Sequence, residues 1–234
     1  MSSIVTRYGH WACPCVRRGA WALAERGIDD TTGEVPPSAV RPSDFVLPDE
    51  FVAHSPRLEI PLVRVGDDYL ADSIPVLEWL ETAMPDAPAL LPRDDHDRAD
   101  HVRSRMRWVD AEVFPPMIGV YYGVDDERIE RASAALSGAL EQMVAWFEDD
   151  RWLAGPEPSL ADAVFVPFLV REEALRALGF VDLVPAAIAE YGARVRAGRG
   201  WSAVEWTLEQ TDELVGRFRA RRRKVLVARG DVAS

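Results

Sequence analysis

Trp11-Ala12-Cys13-Pro14-Cys15-Val16-Arg17-Arg18, running on to Gly27, decides the fold. A β-rich run, Ser3 to Tyr8, leads into it, and a helical pattern follows. Pro14 fits a first helical turn, where its missing N–H costs nothing. Val16, Ala20, Leu23 and Ala24 recur at helical spacing and form one apolar face. Gly27 supplies the left-handed stop. Cys13 is therefore expected at a strand-to-helix junction, at or just before the helix N-terminus.

That position has chemical consequences. Backbone N–H groups at a helix start lack intrahelical partners, and the helix dipole adds partial positive charge. A thiolate there can have its pKa lowered from ~8.5 into the range of roughly 3.5–7.5. Arg17, four residues on, is on the same helical side and would add positive charge. The competing reading of Cys13 is a small buried core cysteine. Cys15 is two residues away and would not face Cys13 on a helix, so a disulfide between them needs a strained local backbone. A functional dithiol pair stays open as an alternative.

The bulk numbers exclude several classes. A chain of 234 residues with 48% hydrophobic content suits one large or two small globular domains. The formal charge of −12 argues against nonspecific nucleic-acid binding and against attraction to anionic membranes. No apolar run approaches the ~20 residues of a membrane helix. The opening residues lack the apolar core of a signal peptide, so the cytoplasm is the expected location. With two cysteines no disulfide framework is expected, and none of the four histidines has a partner at zinc spacing, so no metal is expected.

Along the chain, Thr31 to Val35 reads as a second strand, followed by an irregular, proline-rich connection over 36–48. Pro48 to Ala53 reads as a short helix with acids in its first turn. Leu58 to Val65 contains a strand, Gly66-Asp67-Asp68 a turn, and Tyr69-Leu70-Ala71 the returning strand. A helix over about Ile74 to Thr82 follows, with Ser73 as its N-cap. The fold class expected is α+β: a small mixed sheet covered by helices, in the order βαβαββα, over residues 1–83. Three prolines mark 84–93 as a linker. Residues 94–234 read as all-helical, with helix-period patterns over 94–120, 127–149, 160–178, 183–197 and 203–225. Pro115-Pro116 should kink or end the first of these. Ser159, with Asp162 three residues on, gives a capping-box start. Arg217 to Lys224 holds six basic residues and reads as a solvated helix end rather than a nucleic-acid patch.

Four features in this order resemble the glutathione transferase superfamily over nearly the whole chain. Cys13-Pro14-Cys15-Val16-Arg17-Arg18 resembles the site of its cysteine-type, omega-like bacterial members. Ile60-Pro61 resembles the family's Val-Pro pair with a cis proline, Asp72-Ser73 its acid-serine pair, and Ser159 to Asp162 its capping box. The resemblance implies a thioredoxin-like N-terminal domain, a helical C-terminal domain and a homodimer. It further implies that Cys13 is the nucleophile and that Ile60, ahead of a cis Pro61, offers its backbone to the cysteinyl part of glutathione. Asp72 would meet the γ-glutamyl ammonium and Ser73 the γ-glutamyl carboxylate. Ser73 acting only as a helix cap, and Pro61 as a trans edge proline, are the alternatives.

Two positions depart from the family pattern. Cys15 replaces an aromatic, and Leu47 stands where omega-like members place a lysine for the glycyl carboxylate. Arg41 or Arg57 would have to substitute, and another low-molecular-weight thiol is an alternative cosubstrate. The resemblance places a hydrophobic or disulfide-bearing second substrate beside Trp11, Cys15, Arg107, Trp108, Phe114 and Tyr121, although most such aromatics would serve a core. The expected activity is thiol transfer through a Cys13 mixed disulfide. The alternatives are a glutathione-dependent isomerase or dehalogenase, and a non-catalytic binding protein that keeps the fold.

Overall fold

The structure is a computed structural model that describes residues 5–180 and 182–230. Of the first expected strand, Ser3 and Ile4 lie outside the described residues. The chain divides into two compact units: residues up to Ala99 together with Ala197–Val204, and Asp100–Arg196 together with the residues from Glu205 on.

The first unit carries β1 (Val5–Gly9), α1 (Pro14–Glu25), β2 (Asp30–Glu34), α2 (Asp49–His54), β3 (Leu62–Val65), β4 (Asp68–Ala71) and α3 (Ser73–Ala83). The sheet order is β2-β1-β3-β4. β1 runs parallel to β2 and antiparallel to β3, and β4 pairs antiparallel with β3. This is the thioredoxin-like arrangement.

Alternation along the strands sorts the core into two layers. Val5, Val63 and Val65 meet Leu23 of α1 and Val76 and Leu80 of α3 on one face. Tyr8 and Leu62 point the other way, onto Val35 and Phe51 of α2. Polar partners close that second face: Glu50 of α2 accepts from the Tyr8 and Tyr69 hydroxyls and from Arg64 Nη1, the last at 2.6 Å.

Arg26, just past α1, is nearly fully buried. Its guanidinium donates to the carbonyls of Leu80, Met84 and Pro88 at 2.9, 2.8 and 2.8 Å. It thereby adds a second donor to the carbonyls at the end of α3 and ties down the start of the linker. Residues 197–204, from far along the chain, complete this unit. Gly200 N–H donates to the Glu25 carboxylate at 2.7 Å, and a Cβ on Gly200 would lie 2.8 Å from the Trp21 ring.

The second unit is helical: α4 (His96–Glu112, entering from the first unit), α5 (Phe114–Tyr122), α6 (Asp126–Val144), α7 (Leu160–Ala177), α8 (Ala186–Arg196) and α9 (Leu208–Arg229). α7 is buried almost all round, as befits the central helix of an α-helical core. Asp162, fully buried, holds its start. It accepts from Ser159 N and Oγ at 2.7 and 2.8 Å, from Leu153 N at 3.1 Å and from the Tyr191 hydroxyl at 2.7 Å.

One local expectation, the break at the proline pair, is met, and one is corrected. The pattern over 94–120 is two helices, broken at Val113, because Pro115 and Pro116 fit only the first turn of a new helix. Ser73 is not the N-cap of α3. Asp72 holds that place with φ 78° and ψ 132°, and Ser73 is the first helical residue.

Candidate functional site

Cys13 is the N-cap of α1, extended at φ −80° and ψ 120°, with no side-chain capping bond. The approach to it is a tight turn. Cys13 N donates to the His10 carbonyl at 3.0 Å, and Ala12 N donates to His10 Nδ1 at 3.0 Å. The His10 and Trp11 rings stack 5.3 Å apart. Arg17 braces this turn: Nε donates to the Trp11 carbonyl at 2.7 Å and Nη1 to the Ala203 carbonyl at 3.0 Å. The guanidinium expected beside the thiol is thus committed in part to backbone oxygens.

Cys15, one residue into α1, lines a cleft of about 410 Å³, within the range of small-ligand sites. Ile60, Pro61, Asp72 and Ser73, all singled out from sequence, line the same cleft, as do Arg57 and Glu59. The Ile60–Pro61 peptide is cis. The wall over 55–61 is braced from two sides. Ser55 Oγ donates to the Glu59 carbonyl at 3.1 Å, and Arg41 Nη2 donates to the Leu58 carbonyl at 2.9 Å, with Leu58 at φ 52°. Arg41 is therefore a brace. Arg57 is the arginine that reaches the cleft, 3.1 Å from Glu59 and 4.0 Å from Asp72. Leu47 packs into the layer of Tyr8, Val35, Phe51 and Leu62.

Behind Ser73 stands a feature that the sequence reading missed. Arg18 is 2% exposed, and its Nη1 donates to Ser73 Oγ at 3.1 Å. A buried cation and the N-terminus of α3 therefore meet at one serine, an arrangement that favours an anion. The available signal was an arginine inside an otherwise buried stretch of α1, Val16 to Leu23. The cleft wall offers carboxylates at Asp72 and Glu59, a guanidinium at Arg57 and an anion-favouring hydroxyl at Ser73. It can hold a zwitterionic ligand in one orientation.

The other expected pocket residues lie in the second unit. Arg107 is exposed on α4. Trp108 packs edge-on to Trp146 at 4.8 Å. Phe114 lies among Val109, Met117 and Phe168. Tyr121 is buried, its ring stacked on Phe218 at 4.6 Å. Among the described residues, no three His, Cys, Asp or Glu side chains are grouped to hold a metal ion, and no helix is long and apolar enough to cross a membrane.

Two sequence families match. "Glutathione S-transferase, N-terminal domain" matches residues 12–83, and "Glutathione S-transferase, C-terminal domain" matches residues 111–186. Maleylacetoacetate isomerase of Rattus norvegicus is 27% identical over 183 residues, 76% of this chain and 81% of the relative. A glutathione transferase from rice, solved with glutathione, superposes with a TM-score of 0.79 at 19% identity, covering 94% of this chain and 100% of that one. The omega 3C glutathione transferase of Trametes versicolor gives 0.77 at 19% identity, covering 94% and 92%. With both halves of the fold matched in order, the chain belongs to the glutathione transferase superfamily.

Proposed function

We propose that this protein is a glutathione-dependent thiol transferase of the cysteine type, with Cys13 as the reacting group. The observation that supports the reading is the convergence of Ile60, Pro61, Asp72 and Ser73 on one cleft with Cys15; Cys13 is not in its lining but stands two residues before Cys15, at the N-cap of α1. Ser73, backed by Arg18, takes the γ-glutamyl carboxylate, and Asp72 takes the γ-glutamyl ammonium. Ile60 pairs its backbone with the cysteinyl part. Arg57 takes over the glycyl carboxylate from the lysine that Leu47 replaces.

The chemistry is two exchanges. The Cys13 thiolate attacks the glutathione sulfur of a mixed disulfide, that S–S bond breaks, and the substrate leaves as a thiolate that takes a proton from water. A second glutathione thiolate then attacks the Cys13–glutathione disulfide, releasing oxidised glutathione and restoring Cys13. Glutathione is the reductant. The helix N-terminus favours the thiolate, so no general base is needed.

A second reading is favoured by the isomerase name of the rat relative. In that chemistry glutathione adds to an electron-poor cis alkene, the single bond rotates, and glutathione leaves. Cys13 then only stabilises the glutathione thiolate, a role that a hydroxyl can share. Cys13→Ser separates the two. Thiol transfer predicts loss of glutathione-dependent disulfide reduction by at least a hundredfold. Isomerisation predicts that cis–trans conversion of maleylacetoacetate survives the change within about tenfold. Full disulfide reduction by the Ser variant would sink the first reading. Cys15→Ser should be mild, and an effect as severe as that of Cys13→Ser would replace the single-thiol mechanism with a dithiol one.

A further inference from the structure

The second unit contains a cavity of about 130 Å³ that the thiol chemistry does not use. It has several times the room a single water needs, and its wall mixes apolar side chains with polar groups. Tyr121, Ile129, Phe180 and Phe218 form that wall, with Arg219 and Arg222 beside them. Tyr121 and Phe218 stack on one another with their planes 19° apart, so an aromatic pair forms part of the wall.

The two arginines are differently engaged. Arg222 pairs with Asp126, whose side chain is 83% exposed, and a pair that wet is exchanged at little cost. Arg219 donates to the Ala177 carbonyl at 2.7 Å, and no carboxylate among the described residues pairs with it. A cation with no acid partner among the described residues is conspicuous in a chain of net charge −12.

We propose that this cavity is a second ligand site, for a small monocarboxylate with a compact aromatic or branched apolar body. The body packs against the Tyr121–Phe218 pair, and the carboxylate meets Arg219, with Arg222 beside it. The volume admits a single ring. The wall offers a cationic ligand no carboxylate.

Phenylacetate, titrated calorimetrically into the full chain with glutathione saturating, tests this. Expected is one-to-one binding, at least tenfold tighter than that of the neutral isostere phenylacetamide, since charge-assisted hydrogen bonds are the strong ones. Arg219→Gln, at an exposed position, should weaken phenylacetate about tenfold and leave phenylacetamide unchanged. Ile129→Phe should fill the chamber and weaken both. Circular dichroism of each variant confirms folding. No binding at millimolar phenylacetate would overturn the proposal, as would affinity unchanged in both variants or displacement of the ligand by glutathione.

Discussion

Arg57 holds its Nε 3.1 Å from Glu59, with 69% of its side chain in water. So exposed a pair adds little to folding, which leaves the charge available to a ligand. Arg57→Met should therefore raise KM for glutathione about five- to tenfold, roughly the worth of one charge-assisted contact at a wet site, with kcat within twofold. Arg57→Lys should recover most of that. Steady-state kinetics decide it: a fall in kcat at unchanged KM would place Arg57 in the transition state instead. At this scale Ile60, Pro61, Asp72 and Ser73, each part of a short local pattern, fall on one cleft wall, and Cys13 falls at the N-cap of α1 where its pattern put it; their roles remain proposals. Arg18 was not legible, because its partner Ser73 is 55 residues away and only the folded sheet brings the two together. Arg41 and Arg57 were indistinguishable on paper, and the loop over 55–61 separates them by turning one into a brace.

The start of α7 shows how an element is held by a single carboxylate. Burial pushes the Asp162 carboxyl up, against four donors that pull it down. Burial, reinforced by Asp162, pushes the Tyr191 hydroxyl well above its usual value near 10. The folded chain thus keeps a Tyr191 proton that the unfolded chain loses above about pH 10, and stability falls as pH rises through that region. Tyr191→Phe should lose stability at neutral pH, having given up the bond to Asp162. It should also show a shallower alkaline decline, by up to about 1.4 kcal/mol per pH unit. Urea unfolding between pH 9 and 11 measures both slopes, and parallel curves would refute the assignment. The capping box was readable because its partners are three residues apart. The division of 94–120 was half readable: the proline pair announced a break, while apolar periodicity ran through it. The cap of α3 was misplaced by one residue, since a positive φ at a non-glycine residue leaves no mark in composition.

Over the whole molecule, the order of elements was legible and the ownership of residues 197–204 was not. They follow α8 in sequence yet belong with the first unit, through a glycine contact that no periodicity encodes. Gly200→Ala should cost about 1–3 kcal/mol, because its Cβ would meet the Trp21 ring at 2.8 Å and the Trp21 carbonyl at 2.9 Å. Gly216→Ala, on α9 with nothing within 4 Å, should instead stabilise by about 0.5–1 kcal/mol. Equal shifts in the urea midpoints of the two variants would refute the close packing. That late return also bears on the chain as it is synthesised. Trp21 leaves the ribosome well before the segment that covers it, which comes nearly two hundred residues later. At about 5–20 residues per second, α1 waits on the order of 10–40 s for its last neighbour. The unit that begins first is completed only after Asp100–Arg196 of the second has been made, and through that interval its indole is a surface that a nascent-chain chaperone can hold.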